Sequence, residues 1–124
     1  MKIALIALFG SAGVVSRYFV GEVLSKSFMP ALPLGTFAIN IVGSFFIGLC
    51  AAYSSLRFPI SDEFRLAIMV GFLGGFTTFS TYSLDIVKLF QDGRTLTALL
   101  YLMVSPIAGC LAVLAGFGCS KLVF

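Results

Sequence analysis

Charged residues are scarce in this sequence of 124 residues. Only 10% of the residues are Asp, Glu, Lys or Arg, while 60% are hydrophobic and the mean hydropathy is +1.11. A soluble domain carries roughly a quarter charged residues, which it needs to cover a water-facing surface. We therefore predict an all-α integral membrane protein, with no room in the chain for a separate soluble domain.

Residue types that bind metals or catalyse reactions are also few. The sequence has no histidine, and its three cysteines, Cys50, Cys110 and Cys119, show no CxxC spacing. This pattern argues against a metal site or a disulfide framework, so we interpret the cysteines as small buried apolar residues. No nucleophile is paired with a base and there is no phosphate-binding loop. These absences argue strongly against an enzyme.

Carboxylates are missing from the centres of the apolar stretches. Glu22 and Asp85 both fall toward the ends of the predicted helices. A proton-coupled exporter usually places a carboxylate deep in the membrane, where it exchanges protons with the substrate. The absence of a central carboxylate from the first span therefore disfavours proton-coupled export.

Four apolar stretches are long enough to cross a membrane, which takes about 20 residues each. We predict these spans, within a single domain 1–124, at roughly 3–24, 34–53, 64–90 and 96–123. The opening MKIALIALFG resembles a signal peptide, but no convincing cleavage site precedes soluble sequence, so we expect it to stay as the first span. Ser61 and Asp62 stand where the N-cap of the third helix belongs. A bundle this small has little interior, so we expect an oligomer.

Basic residues are balanced between the two sides of the predicted bundle. One side holds Lys2, Arg57, Arg65 and Lys121. The other side holds Arg17, Lys26, Lys88 and Arg94. Cytoplasmic loops normally carry an excess of Lys and Arg, so this balance leaves the orientation undefined. Either a feature outside this rule decides the orientation, or the protein inserts both ways and has dual topology.

The segment GGFTTFSTYS, residues 74–83, does not fit an apolar span. Two glycines followed by two threonines weaken a helix even in lipid. A break here would free backbone carbonyls, which are natural ligands for a hard cation in mid-membrane. Phe79 and Tyr82, at i and i+3, share one helix face and could turn electropositive ring edges toward an anion. The alternative is ordinary aromatic packing against lipid or neighbouring helices.

Neutral polar residues in two other spans could also serve either a polar pathway or contacts between helices. Asn40 interrupts an apolar run, and its amide is either one half of an interhelical hydrogen bond or a donor that lines a polar pathway. Thr36, four residues earlier, could lie on the same helix face and extend that pathway. Ser105 precedes Pro106, which removes a helical donor and favours a kink. Neutral donors and ring edges together suit the passage of a small anion.

Three stretches of the sequence resemble the small fluoride channels called Fluc or CrcB: GVVSRY (13–18), GTFAINIVGSFFIG (35–48) and GFLGGFTTFSTYSLD (71–85). The resemblance implies an antiparallel, dual-topology homodimer with two fluoride pores, in which the third helix is broken mid-membrane. It also implies a structural sodium ion, Na+, at the dimer interface, held by the backbone carbonyls of Gly74 and Thr77 from each subunit. Arg17 matches a family arginine near the vestibule, with snorkelling to the headgroups as the alternative.

The resemblance also implies which residues line the pore. The family's pore asparagine maps onto Asn40 and its first pore phenylalanine onto Phe79. The second pore aromatic is phenylalanine in many members and Tyr82 here, whose hydroxyl faces the pore, bonds to Ser105 or a neighbour, or turns away. Tyr101 and Ser105 match a tyrosine and a serine of the family's fourth helix.

The expected function is therefore passive, fluoride-selective export of cytoplasmic fluoride, which confers fluoride resistance from the plasma (inner) membrane of a bacterium. The expected partners are a second copy of the chain, fluoride and the lipid bilayer, with no nucleic acid. Two alternatives remain, a proton-coupled small multidrug exporter and a non-conducting accessory membrane subunit. Substitution of Asn40 or Phe79 separates a pore from an accessory subunit, because losing a pore residue abolishes flux while the dimer stays intact.

Overall fold

The computed structural model describes residues 1–27, 32–56 and 60–123, and the regular elements within these ranges are helical. Four helical segments are long and apolar enough to cross a membrane: Lys2–Lys26, Leu34–Tyr53, Asp62–Gln91 and Thr95–Leu122. This confirms the predicted all-helical, multi-pass membrane protein with four spans. Arg57, which entered the charge balance above, lies outside the described residues.

Each of the first, second and fourth spans is one helix, whereas the third is composite. The three single helices are α1 (Lys2–Ser27), α2 (Leu34–Leu56) and α6 (Thr95–Val123). The third span contains α3 (Asp62–Leu66), a π-helical segment (Ala67–Leu73), α4 (Gly74–Phe76) and α5 (Phe79–Gln91). A π-helical segment is rare and frequently accompanies a functional site.

The third span begins with a side-chain cap. The Ser61 hydroxyl accepts a hydrogen bond from the Phe64 N–H at 3.4 Å, so Ser61 is the N-cap that its residue type predicts. Asp62 lies inside the first turn, where its carboxylate bonds to Arg65 at 3.1 Å. An acidic residue at this position also complements the positive end of the helix dipole.

The helices pack in two closely contacting groups. α2 lies along α6, while α1 lies along the π-helical segment and α4 of the third span. A Cβ placed on Gly48 of α2 would collide with the backbone of Val113, so these two helices approach as closely as glycine permits. Such close approach through small residues is typical of helices packed in a membrane.

The outer faces of the bundle are apolar. Large exposed side chains include Val15, Phe19, Val70, Leu111 and Leu114. Cys110 is also exposed on α6, and Cys50 and Cys119 are half-buried. The prediction that all three cysteines are buried is therefore wrong for Cys110. A thiol is apolar enough to lie on a face that lipid or another apolar surface covers.

The helical path of the third span is interrupted at Thr77 and Thr78. Gly74 and Gly75 are still helical, so the glycines precede the interruption and do not form it. Thr77 has φ −79° and ψ 158°, and Thr78 has φ −150° and ψ 117°, which are extended conformations. α5 starts immediately afterwards at Phe79.

Candidate functional site

Two backbone N–H groups leave the helical pattern at this break. In a continuous α-helix the N–H of Thr78 would donate to Gly74 and that of Thr81 to Thr77. Instead, the Thr78 N–H donates to the Oδ1 of Asn40 at 2.8 Å, and the Thr81 N–H donates to the Oγ1 of Thr78 at 3.2 Å. The carbonyls of Gly74 and Thr77 therefore lose their helical donors. These are the two carbonyls that the family resemblance implied for sodium.

Asn40 connects α2 to the break through both ends of its amide. Its Nδ2 donates to the Thr78 carbonyl at 3.0 Å while its Oδ1 accepts from the Thr78 N–H. The side chain thus replaces the backbone partners that Thr78 would have in a helix. An amide nitrogen carries two hydrogens, so one Nδ2 hydrogen remains after this bond is made. Asn40 can therefore make the interhelical hydrogen bond and still offer a donor to a polar pathway, so the two interpretations of this residue are compatible.

Arg17 reaches the break from α1. Its guanidinium donates from Nη1 to the carbonyl oxygen of Thr77 at 3.1 Å, and the bond is partly buried. A charged donor of this kind forms a hydrogen bond about twice as strong as a neutral one. Arg17 therefore contacts the break directly through its guanidinium. This contact is compatible with snorkelling, in which the aliphatic part of the side chain extends toward the lipid headgroups.

A first cavity of about 250 Å³ opens beside the break. Its wall includes Asn40, Gly43, Ser44, Leu73, Thr77, Thr78 and Phe79. The Phe79 ring is 79% exposed at the edge of this cavity. Gly43 is required here because a Cβ on it would collide with the Thr77 side chain. The result is a notch with polar groups in an otherwise apolar outer surface.

A second cavity of about 440 Å³ lies on the α1 side of the break. Its wall includes Arg17, Glu22, Thr36, Thr78, Thr81 and Asp85. Thr78 lines both cavities, whereas Asn40 lines the first and Thr36 the second. The predicted polar face of α2 is therefore divided between two cavities, both of which Thr78 lines.

The remaining predicted site residues lie where α5 packs on α6. The Tyr82 ring lies 5.7 Å from that of Phe79 and 5.1 Å from that of Tyr101, the second contact being edge-on. The Tyr82 hydroxyl donates to the Leu102 carbonyl at 2.7 Å. Ser105 is buried, with 6% of its surface exposed. The structure thus settles the options left open for Tyr82: its hydroxyl bonds to a neighbouring helix.

Sequence reasoning missed Asp85 as a member of the site. Its carboxylate lines the second cavity with Arg17, and its Oδ2 is buried with no hydrogen-bond partner among the described residues. The signal was present in the spacing, because Thr78, Thr81 and Asp85 stand at i, i+3 and i+7 and share one helix face. The Tyr101 hydroxyl oxygen is likewise buried without a partner in the described part of the chain.

Comparison with known proteins gives consistent matches along the chain. The family model described as CrcB-like protein, Camphor Resistance (CrcB), matches residues 4–117. A protein from Rhizobium etli (strain CIAT 652) is 45% identical over 112 residues, 90% of each chain. One from Agrobacterium fabrum (strain C58 / ATCC 33970) is 43% identical over 124 residues, 100% of this chain and 99% of the relative. One from Citrifermentans bemidjiense is 41% identical over 107 residues, 86% of each. All three relatives are called fluoride-specific ion channel FluC.

Proposed function

The chain belongs to the CrcB family, and we propose that it is a fluoride-selective channel that lets cytoplasmic fluoride leave the cell passively. The observation that carries this proposal is the match of 43% identity over the whole chain to a protein called a fluoride-specific ion channel. No comparable support exists for a multidrug exporter or an accessory subunit. We place the channel in the plasma membrane of a bacterium. In acid surroundings HF crosses the lipid and ionises in the cytoplasm, so the cell needs an exit for the trapped fluoride anion.

The polar groups around the break fit an anion pathway built from neutral donors. Asn40, which keeps one Nδ2 hydrogen beyond its bond to Thr78, and the exposed Phe79 both line the first cavity. A pathway must replace hydration well enough for the ion to enter, yet bind it weakly enough for the ion to leave. Amide, hydroxyl and ring-edge donors meet both needs, because none carries a full charge. We assign Thr36, Tyr101 and Ser105 to the same pathway and Arg17 to its vestibule.

We propose that two copies assemble as an antiparallel, dual-topology homodimer. Phe79 is 79% exposed, and it lines a cavity whose polar groups would face lipid in a single chain. Gly74, whose carbonyl has lost its helical donor, is also exposed. Polar backbone at membrane depth is tolerated where protein buries it or where it lines a wet cavity. A second copy placed on this face would put both breaks at the centre of the dimer, in mid-membrane.

The same face has the right chemistry for a structural sodium ion. Carbonyl oxygens of unwound membrane helices are established ligands for sodium, and Gly74 and Thr77 each offer one. Two carbonyls from one chain are too few, so the symmetric copy would supply the other two. The Arg17 bond to Thr77 leaves a second lone pair on that oxygen. A bound sodium ion would hold the two breaks together at the dimer centre.

Ion efflux from liposomes containing the purified protein tests this function. Fluoride- and chloride-selective electrodes follow vesicles loaded with both potassium salts. With valinomycin present, we expect fast fluoride loss without chloride loss, because each anion leaving electrogenically requires a potassium ion to follow. Protein-free vesicles provide the baseline. Folded protein that releases no fluoride, or that releases chloride equally well, contradicts the proposal.

A further inference from the structure

The Tyr82 hydroxyl bonds to one particular carbonyl of α6. Its acceptor is the carbonyl of Leu102, at 2.7 Å. In a regular helix that carbonyl would accept from the N–H of residue 106. Residue 106 is proline, which has no N–H, and α6 continues through it from Thr95 to Val123. The hydroxyl of Tyr82 therefore supplies the hydrogen bond that Pro106 removes.

This bond uses the only hydrogen that the Tyr82 hydroxyl has. A phenol carries one donor and two acceptor lone pairs. Once the hydrogen is given to Leu102, the oxygen presents only lone pairs, which repel an anion. Tyr82 is also 7% exposed, and its ring lies against both Phe79 and Tyr101. The hydroxyl of Tyr82 thus has no donor left for an ion in the pathway.

Tyr101 differs from Tyr82 in this respect. Its hydroxyl oxygen is buried and has no hydrogen-bond partner among the described residues. The two rings are neighbours, with centroids 5.1 Å apart. A matched pair of tyrosines therefore exists, one with its hydroxyl hydrogen bonded and the other with its hydroxyl unpaired in the described part of the chain.

We propose that Tyr82 is a positioning residue and not an anion ligand: its hydroxyl satisfies the Leu102 carbonyl and so fixes α5 and the Tyr82 ring against α6. The ring keeps its place between the rings of Phe79 and Tyr101, and donation to the anion falls to groups whose hydrogens are unused. The statement about the anion rests on the proposed channel function. The statement about the hydrogen bond does not.

A double-mutant cycle between Tyr82→Phe and Pro106→Ala tests the hydrogen bond. The Pro106→Ala substitution restores the backbone N–H that the Leu102 carbonyl lacks. The unfolding equilibrium is measured in mixed micelles with a rising SDS fraction. In the native background we expect Tyr82→Phe to shift the equilibrium constant toward unfolding by about three- to twentyfold, the range of interhelical hydrogen bonds in membranes. In the Pro106→Ala background the same change should shift it by less than about twofold.

Tyr101→Phe is the matched control, since it removes the same atom from a hydroxyl that has no hydrogen-bond partner among the described residues. It should leave the unfolding equilibrium unchanged or more favourable to the folded state. Equal shifts from Tyr82→Phe in both backgrounds overturn the proposal, because the hydroxyl would then not be compensating for the proline. So does a Tyr101→Phe shift as large as that of Tyr82→Phe.

Fluoride efflux from the same variants tests the role toward the anion. Tyr82→Phe should retain selective fluoride efflux, because the atom removed does not donate to the ion. Loss of efflux from Tyr82→Phe in the Pro106→Ala background, where stability is restored, overturns the proposal and makes the hydroxyl a ligand. If the parent protein releases no fluoride, the proposed channel function is contradicted. The double-mutant cycle still tests whether the Tyr82 hydroxyl compensates for Pro106.

Discussion

The third and fourth spans both lose helical hydrogen bonds, but in different ways. In the third, the N–H groups of Thr78 and Thr81 donate to side-chain oxygens, and Thr77 and Thr78 become extended. In the fourth, Pro106 has no N–H to offer, yet the helix stays intact from Thr95 to Val123. One span is interrupted and the other is not.

The difference lies in whether a side chain competes with the helix for the hydrogen bonds of the backbone N–H and carbonyl groups. A proline deletes one donor and leaves one carbonyl, and the single hydroxyl of Tyr82 bonds to that carbonyl. Asn40 instead offers both an acceptor and a donor to Thr78, so it replaces the helical partners of this residue's N–H and carbonyl. Competing side-chain partners therefore account for the interruption better than the glycines before it, which remain helical.

Removing the amide that holds the break should have the largest effect. Asn40→Leu deletes both bonds to Thr78, which is 8% exposed and has little access to water that could replace them. We expect the free energy of unfolding to fall by roughly 2–4 kcal/mol, the cost of two unsatisfied buried groups, and fluoride efflux to be lost. Mixed-micelle unfolding and the electrode assay measure these. Ser44→Ala, in the wall of the same cavity, removes no bond to Thr78 and should retain stability. Unchanged stability in Asn40→Leu would show that Thr78 finds other partners.

A glycine substitution against the break should have an intermediate effect. At Gly43 a new Cβ would collide with the Thr77 side chain and lie 3.4 Å from the Phe76 ring. Gly43→Ala should therefore lower the free energy of unfolding by about 1–3 kcal/mol through overpacking. On the fourth span, a Cβ at Gly118 meets nothing within 4 Å, so Gly118→Ala should be neutral or slightly stabilising. Equal decreases in the free energy of unfolding for both substitutions would show that packing against the break is no tighter than packing around Gly118.

The smallest expected effect concerns the proposed sodium site at the carbonyls of Gly74 and Thr77. The Arg17 guanidinium donates to the Thr77 carbonyl oxygen, and its positive charge repels a sodium ion that approaches the same oxygen. Arg17→Gln should therefore tighten sodium binding by up to about tenfold, equivalent to ~1.4 kcal/mol. Arg17→Lys retains the charge and should stay near the parent value. The measurement is the sodium concentration that gives half-maximal thermal stabilisation, with potassium replacing sodium at constant ionic strength.

Two outcomes would contradict this account of the carbonyls. Identical thermal stability in sodium and in potassium would argue against a sodium site altogether. Weaker sodium binding in Arg17→Gln would mean that the guanidinium orients the Thr77 carbonyl toward the ion, and does not compete with it.

Several candidate residues could be found from sequence because they contrast with their surroundings. Asn40 interrupts an apolar run, and Phe79 follows the helix-weakening threonines. Asp85 shows no such contrast, because a carboxylate near a helix end is ordinary, and its place in a cavity depends on the packing of α1 against the third span. The sequence allows three options for the Tyr82 hydroxyl, because its acceptor lies twenty residues away on another helix.

The sequence alone determined the class of the protein, the presence of four spans and the family resemblance, which the comparisons confirm. These depend on composition, on the length of apolar runs and on short motifs, all of which are local along the chain. The tertiary structure alone decided which carbonyls lose their donors and which side chains replace them. Asn40 meets Thr78 across 38 positions and Arg17 meets Thr77 across 60. A hydrogen bond requires donor and acceptor within about 3 Å and in line, and only the packing of the helices sets that geometry.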